Sequence, residues 1–220
     1  MSLLVTGGAQ GIGAAIVDKA RSTGERVDVL DLELGVDAAD PAAVREFVES
    51  VPTPTRVAHI AGVVGRGGLG EVELSDWDRV IRANLTSAFV VTNEVVPRMA
   101  EAGGGAVVLM SSLNARDGGT TMSGVAYASA KAGVLGLARH AAKHWGPHGV
   151  RVNAIAPGPV RTRVHDRLTA EQRAGLLAAM PLPRVSEPQE IADIVLFLLS
   201  ESCASVTGMT FDVNGGSHLS

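Results

Sequence analysis

Residues 3–13 read LLVTGGAQGIG. A short aliphatic run, LLVT, meets glycines at 7, 8, 11 and 13, and a helical pattern follows over 12–22. Glycine lacks a Cβ, so such a loop can turn tightly and let a phosphate approach backbone N–H groups at a helix N-terminus. The helix dipole favours the same negative charge. A glycine cluster alone is weak evidence, because turns are rich in glycine. Its place between a strand and a helix is the context that a dinucleotide-binding fingerprint requires. Gly7, Gln10, Gly11, Ile12 and Gly13 are therefore the candidate phosphate cradle.

The same alternation continues along the chain. VDVL (27–30), RVAHI (56–60), AVVLM (106–110), VRVNAI (150–155) and MTFDV (209–213) read as strands. Most are apolar on both faces, which implies burial on both sides. Between them lie helical patterns. One spans 40–50, with Asp40 as N-cap and Pro41 at the first helical position. A second spans 75–102, beginning with the capping pattern S-x-x-D, and Pro97 is expected to kink or end it. A third spans 125–146 and stops near Gly146-Pro147. A fourth spans 186–200 and opens S-x-x-Q. Regular strand–helix alternation predicts an α/β fold, a Rossmann-type doubly wound parallel sheet flanked by helices. There is no repeat or linker, so residues 1–220 are expected to form a single domain. Ligands of such sheets bind beyond the carboxyl ends of the strands, where the winding reverses.

Bulk properties narrow the partners. The 220 residues are 46% hydrophobic but only 3% aromatic, so the core must be aliphatic. Formal net charge is −4, and no basic run or basic–aromatic stripe occurs, so nucleic acid is not an expected partner. The single Cys203 cannot form an internal disulfide. The longest apolar runs are too short to span a bilayer, and the first residues lack signal-peptide features. The expectation is a soluble cytoplasmic protein with no membrane contact and no metal site.

The second strand runs into Asp31. A carboxylate there, about 20 residues past the glycines, can accept hydrogen bonds from an adenosine ribose and would repel a 2′-phosphate. Neither Gln10 nor Leu32 supplies a cation for that phosphate. Both points favour NAD over NADP. Asp31 could alternatively do no more than begin a turn.

YASAK (127–131) holds the only tyrosine in the chain and one of three lysines, with Lys19 and Lys143. Positions i and i+4 share a helix face, so phenol and ammonium are neighbours. A phenol titrates near 10. A nearby ammonium is expected to lower that value and make the phenol usable as an acid or base.

Taken together, TGGAQGIG, Asn84, Ser111-Ser112, YASAK and PGPVRT (157–162) resemble the short-chain dehydrogenase/reductase family in its single-domain branch. The resemblance runs from the first strand to VNGG (213–216). It implies a seven-stranded sheet, for which LGVDAAD (34–40) is the poor seventh candidate, with Asp37 contacting adenine. The helix usually found between those strands has no room here, which leaves the adenine side open. The resemblance also implies a catalytic set. Tyr127 is the general acid/base, Lys131 assists it and holds the nicotinamide ribose, Ser112 binds the substrate oxygen, and Asn84 supports a proton relay. Ser111 is the alternative to Ser112. Ala61 and Gly62 would let the cofactor approach the backbone, and Pro157, Gly158, Val160 and Thr162 would hold the nicotinamide carboxamide. Family members are commonly tetramers, and a homo-oligomer (tetramer, possibly dimer) packed through the helices at 75–102 and 125–146 is the corresponding expectation.

Two departures stand out. The family's Asn-Asn-Ala-Gly is here His59-Ile60-Ala61-Gly62, which puts local stability in question more than chemistry. His59 is expected to be satisfied by backbone rather than catalytic. Ser112 also precedes Tyr127 by a slightly long interval, so residues 113–126 hold a small insertion beside the substrate pocket.

Residues 163–185 are expected to form the substrate lid, with Arg163, His165 and Arg167 either meeting an acidic substrate or lying on a solvated helix face. Asn114 and Arg116 are further polar candidates near the pocket. The expected activity is hydride transfer between NAD(H) and a small secondary alcohol or ketone, such as a polyol or hydroxy-carbocycle. The alternatives are reduction of 3-oxoacyl groups on acyl carrier protein and a catalytically silent dinucleotide sensor. Only Arg98 and His148 lie near the helix ends where an acidic carrier would dock. An intact Asn–Ser–Tyr–Lys set would be superfluous in a sensor.

Overall fold

The structure, a computed structural model, describes residues 2–163, 169–178 and 180–219. Among them, six strands form one parallel sheet in the order β2-β1-β3-β4-β5-β6. They are β1 (Ser2–Thr6), β2 (Arg26–Leu30), β3 (Arg56–His59), β4 (Gly105–Met110), β5 (Val150–Pro157) and β6 (Thr210–Val213). The order reverses at β1, so the crevice between the carboxyl ends of β1 and β3 is the switch point where such sheets take ligands.

Strand alternation divides the core in two. Leu3, Val5, Ala58, Val108 and Ile155 face α1 (Gly11–Ser22) and α8 (Pro188–Leu199). Leu4, Val57, Val107, Leu109 and Val152 face α2 (Pro41–Ser50), α4 (Ser87–Glu101) and α6 (Val125–Trp145). Nearly all of these side chains are aliphatic, as the composition requires. The remaining helices are short: α3 (Leu74–Ile81), α5 (Asn114–Asp117) and α7 (Ala170–Ala178).

The expected seventh strand is absent among the described residues. Leu32–Leu34 form a 3-10 turn ended by Gly35 in the left-handed region (φ 87°). Asp37 then accepts from the Ala39 amide, and Asp40 caps α2 by accepting from Ala42 and Ala43. A chain folding back on itself every few residues cannot extend into a ladder. β2 is consequently an edge strand, and Leu32 and Leu34 are exposed.

The predicted helix 75–102 is really α3 and α4 joined by a π-turn over Arg82–Thr86. Its cause is Asn84. The Asn84 side-chain Nδ2 donates to the Val80 carbonyl at 2.8 Å, one turn back, and so enters the i→i−4 ladder. Pro97 does not end the segment, which runs on to Glu101. It forfeits only the bond to the Asn93 carbonyl, which lies on an exposed residue where water can serve. The two expected caps also move. Helix α3 starts after Glu73 rather than at Ser75, and α8 is capped by a Glu187–Glu190 box rather than by Ser186. Ser186 instead pairs its backbone with Pro159 and Arg161.

Candidate active site

The glycine loop is built for close approach. A Cβ on Gly13 would lie 2.0 Å from the Gly7 carbonyl oxygen, and one on Gly7 would lie 2.7 Å from the Ala61 amide nitrogen. These contacts draw the β1 and β3 loops together and leave the backbone of Gly7–Gly13 lining the switch-point crevice, with α1 starting at Gly11. Thr162 packs on Gly11, its methyl 3.5 Å from where a Cβ would stand. The carboxamide-loop candidates therefore meet the phosphate-loop candidates. Gly158 donates to Val213 O and packs on Asn214, which fixes the loop after β5 to the end of β6. Val160 bridges to Ser186, so the two ends of the expected lid are tied together. His165 and Arg167 lie outside the described residues.

Asp31 is buried at the end of β2, accepting from Ala9 N at 2.9 Å and Glu33 N at 2.8 Å. It joins the glycine loop to the turn after β2, and its remaining lone pairs are free for a ribose. Glu33 stands beside it, receiving Gln10 Nε2 at 3.2 Å. Arg163 Nη1 reaches to 4.0 Å from Glu33, which brings a cation to the rim beside Asp31 that the linear sequence did not place there. Asp37 is held by Arg82 at 2.6 Å; burial alone would raise its carboxyl, but the Ala39 amide and the Arg82 guanidinium together bring it below the usual range.

The catalytic candidates converge from β4, the π-turn and α6. Ser111 Oγ donates to Lys131 O at 2.8 Å and ties β4 to α6, so its hydroxyl is spent on structure. Ser112 accepts from Asn114 N at 3.2 Å and hydrogen-bonds the Tyr127 phenol. Lys131 is buried, donates to Met110 O at 2.8 Å and places Nζ 5.6 Å from the Tyr127 ring centre. Asn84 is buried with Nδ2 on Val63 O and Val80 O, both at 2.8 Å, while its Oδ1 has no partner. A Cβ on Gly62 would sit 2.3 Å from that oxygen and 3.3 Å from Lys131 Nζ. The two atoms thus flank one small void that only glycine leaves open.

The electrostatics correct the expectation for Tyr127. Burial pushes its phenol above 10, and the Ser112 hydrogen bond offsets this only in part. Burial likewise lowers Lys131 to about 7. Desolvation outweighs the attraction between the pair because both charged forms lose water at once. His59 is also buried, and burial with the nearby Lys131 lowers it to about 3. Its partners are side-chain hydroxyls, Thr6 Oγ1 at 2.8 Å and Ser87 Oγ at 3.3 Å, rather than backbone. Arg116 is spent on Asp212 at 3.1 Å. The insertion before Tyr127 docks on the β3 loop through Gly67 N to Thr121 O, and Gly124 leaves no room for a Cβ against Arg66.

A parallel sheet with a glycine loop at its switch point, next to buried Ser112 and Lys131 and half-buried Tyr127, defines a dinucleotide-dependent oxidoreductase class. The family described as enoyl-(acyl carrier protein) reductase matches residues 9–218. An uncharacterized short-chain type dehydrogenase/reductase of Sinorhizobium fredii is 35% identical, over 94% of this chain and 92% of that one. D-threitol dehydrogenase of Mycolicibacterium smegmatis is 34% identical, over 97% and 91%. A 3-oxoacyl-[acyl-carrier protein] reductase with bound NAD from Brucella melitensis superposes with a TM-score of 0.88 at 27% identity, over 100% of this chain and 91% of that one. The chain belongs to the short-chain dehydrogenase/reductase family. It is an oxidoreductase of CH–OH or ketone groups that uses a nicotinamide dinucleotide. No helix among the described residues is long and apolar enough to cross a membrane.

Proposed function

We propose that the protein is an NAD(H)-dependent dehydrogenase of a small secondary alcohol, or reductase of the matching ketone. The observation that carries this reading is the convergence of Ser112, Tyr127 and Lys131 beside the open end of β4. The dinucleotide supplies the hydride. Ser112 holds the substrate oxygen next to the phenol, and Tyr127 gives or takes the proton at that oxygen. Lys131 and Asn84 Oδ1 flank the void behind Tyr127 through which a proton can be relayed. Gly7–Gly13 hold the pyrophosphate, Asp31 the adenosine ribose, and Pro157–Thr162 the carboxamide. Asp31 with Glu33 presents two carboxylates where a 2′-phosphate would sit, which supports NAD over NADP. Residues 163–185 act as the lid of a single domain.

We place the protein in the cytoplasm, consistent with the buried free thiol of Cys203. It assembles with further copies of itself through α4 and α6, where Phe89 is exposed. The test is a panel of polyols, cyclic alcohols and ketones followed by NADH absorbance, with Tyr127→Phe as control. The variant is expected to lose about 10²- to 10⁴-fold in turnover while still binding NADH. Wild-type turnover by that variant removes the assignment.

The likeness to 3-oxoacyl reductases supports a second reading, reduction of a 3-oxoacyl thioester. The last turn of α4 carries Arg98 and that of α6 carries Lys143 and His144, so the helix ends do not separate the two readings, and acetoacetyl-CoA in the same panel does.

A further inference from the structure

His59, at the end of β3, pairs with Thr6 of β1 and with Ser87, the first residue of α4, next to the π-turn that carries Asn84. Ser87 Oγ lies 2.8 Å from Ala83 O and 3.3 Å from His59 Nε2. A hydroxyl has one proton, and the shorter bond to a pure acceptor takes it. His59 Nε2 must then donate to Ser87, which leaves Nδ1 to accept from Thr6 Oγ1 at 2.8 Å. Thr6 Oγ1 in turn receives Ala61 N at 3.4 Å. Thr6, His59 and Ser87 each pass a hydrogen bond on in a single direction, from the Ala61 amide to the Ala83 carbonyl, with Asn84 O a longer second acceptor for Ser87 at 3.4 Å. Neutral imidazole fits this chain, with one donor nitrogen and one acceptor nitrogen placed to span from β1 to the π-turn. Burial keeps it neutral across the working pH range.

Both ends of the chain bear on the same void. Ala61 precedes Gly62, and Ala83 precedes Asn84, and Asn84 Oδ1 faces Lys131 Nζ across Gly62. We infer that His59 is a positioning residue for the reaction, fixing the π-turn so that Asn84 Oδ1 stays aligned with Lys131. This rests on the assignment of Tyr127 and Lys131 to proton transfer.

The test pairs chemistry with a measurement that needs no substrate. His59→Phe removes both hydrogen bonds, and Ser87→Ala cuts only the link to the π-turn. Each is expected to lower kcat for D-threitol with NAD⁺ about tenfold, the worth of one buried hydrogen bond, with KM and NADH affinity within about twofold. Each should also speed amide hydrogen exchange over residues 82–88, read by mass spectrometry. His59→Gln, whose terminal amide reaches the Nε2 position, should recover most of both. Wild-type kcat in Ser87→Ala, or unchanged exchange over 82–88, overturns the inference. So does a loss of kcat that only follows a fall in melting temperature and NADH affinity and is not recovered by Gln. If His59→Phe does not fold, Ser87→Ala decides alone. Absent turnover of every panel compound by the wild type counts against the proposed function instead, and the exchange measurement still decides the role of His59.

Discussion

Lys131→Met is expected to make the protein more stable while abolishing its turnover, and the gain should depend on pH. Burial brings the Lys131 amine to about 7 from 10.5. Below pH 7 both folded and unfolded chains carry the proton, and the folded state bears the whole cost of the buried charge, about 5 kcal/mol at 1.36 kcal/mol per unit. Above the folded value the native amine is neutral, so unfolding takes up a proton, which becomes harder as pH rises towards 10.5. The cost therefore shrinks with pH, by about 3 kcal/mol between pH 6 and 9. Methionine removes it but leaves Met110 O without the 2.8 Å bond it receives from Lys131, a loss of about 1–3 kcal/mol. The variant should thus gain about 2–4 kcal/mol at pH 6, or roughly 5–10 °C in melting temperature, and close to nothing at pH 9. Thermal and urea unfolding of the cofactor-free protein, followed by circular dichroism at both pH values, measures the difference. A variant less stable than wild type at pH 6, or an offset equal at the two pH values, would refute the desolvation argument.

The single tyrosine makes its own titration visible: phenolate absorbance near 295 nm should stay undeveloped in the folded, cofactor-free protein until above pH 10, because burial raises Tyr127. Phenolate appearing by pH 9 would mean that Lys131 dominates after all. Glu33→Gln should tighten NADPH binding about tenfold at low salt by removing a carboxylate from the ribose rim and freeing Arg163, and adding Arg163→Ala should cancel the gain. An unchanged NADPH affinity in Glu33→Gln counts against a charge role for that residue. Gly13→Ala should cost about 1–3 kcal/mol and weaken NADH binding, since its methyl would meet Gly7 O at 2.0 Å. Gly136→Ala, on α6 with open space around it, should be neutral or stabilising in the same melts.

Much of the architecture was legible because it follows from local pattern. Aliphatic runs such as AVVLM are apolar on both faces, and only a sheet covered on both sides accommodates them. Asp40-Pro41 marks a helix start through one side chain and one ring. The errors arose where a side chain overrode the local pattern. Asn84 reads as a mildly unfavourable residue inside one long helix, and nothing nearby in sequence reveals that its amide takes the Val80 carbonyl. Pro97 reads as a breaker, yet its missing bond falls at an exposed carbonyl. LGVDAAD has strand-like residues, but Gly35 and the side chains of Asp37 and Asp40 turn its backbone inward. At the site, residue identities could be read from motifs, whereas the balance of burial against charge that raises Tyr127 and lowers Lys131 exists only once the sheet and helices have excluded water. The His59 partners, Thr6 and Ser87, lie 53 and 28 residues away, beyond the reach of any local pattern.

The shortened β2–α2 connection and the departure at His59 together suggest which parts of this fold are dispensable. The expected seventh strand would have extended the sheet at its outer edge, beyond β2. What remains at that edge, Asp31 with the Ala9 and Glu33 amides, is held by the glycine loop and needs nothing further out. The inner half from β3 to β6 has no such freedom. There Gly62 allows Asn84 and Lys131 to approach, Gly158 rests on Asn214, and Ser111 locks β4 to α6. Histidine is accommodated at 59 because neutral imidazole offers one donor and one acceptor, and the hydroxyls of Ser87 and Thr6 stand where they can pair with both nitrogens. The next position, Ile60, carries no polar side chain at all, so the strand end keeps its place through the packing of Gly7 on Ala61 as well as through hydrogen bonds.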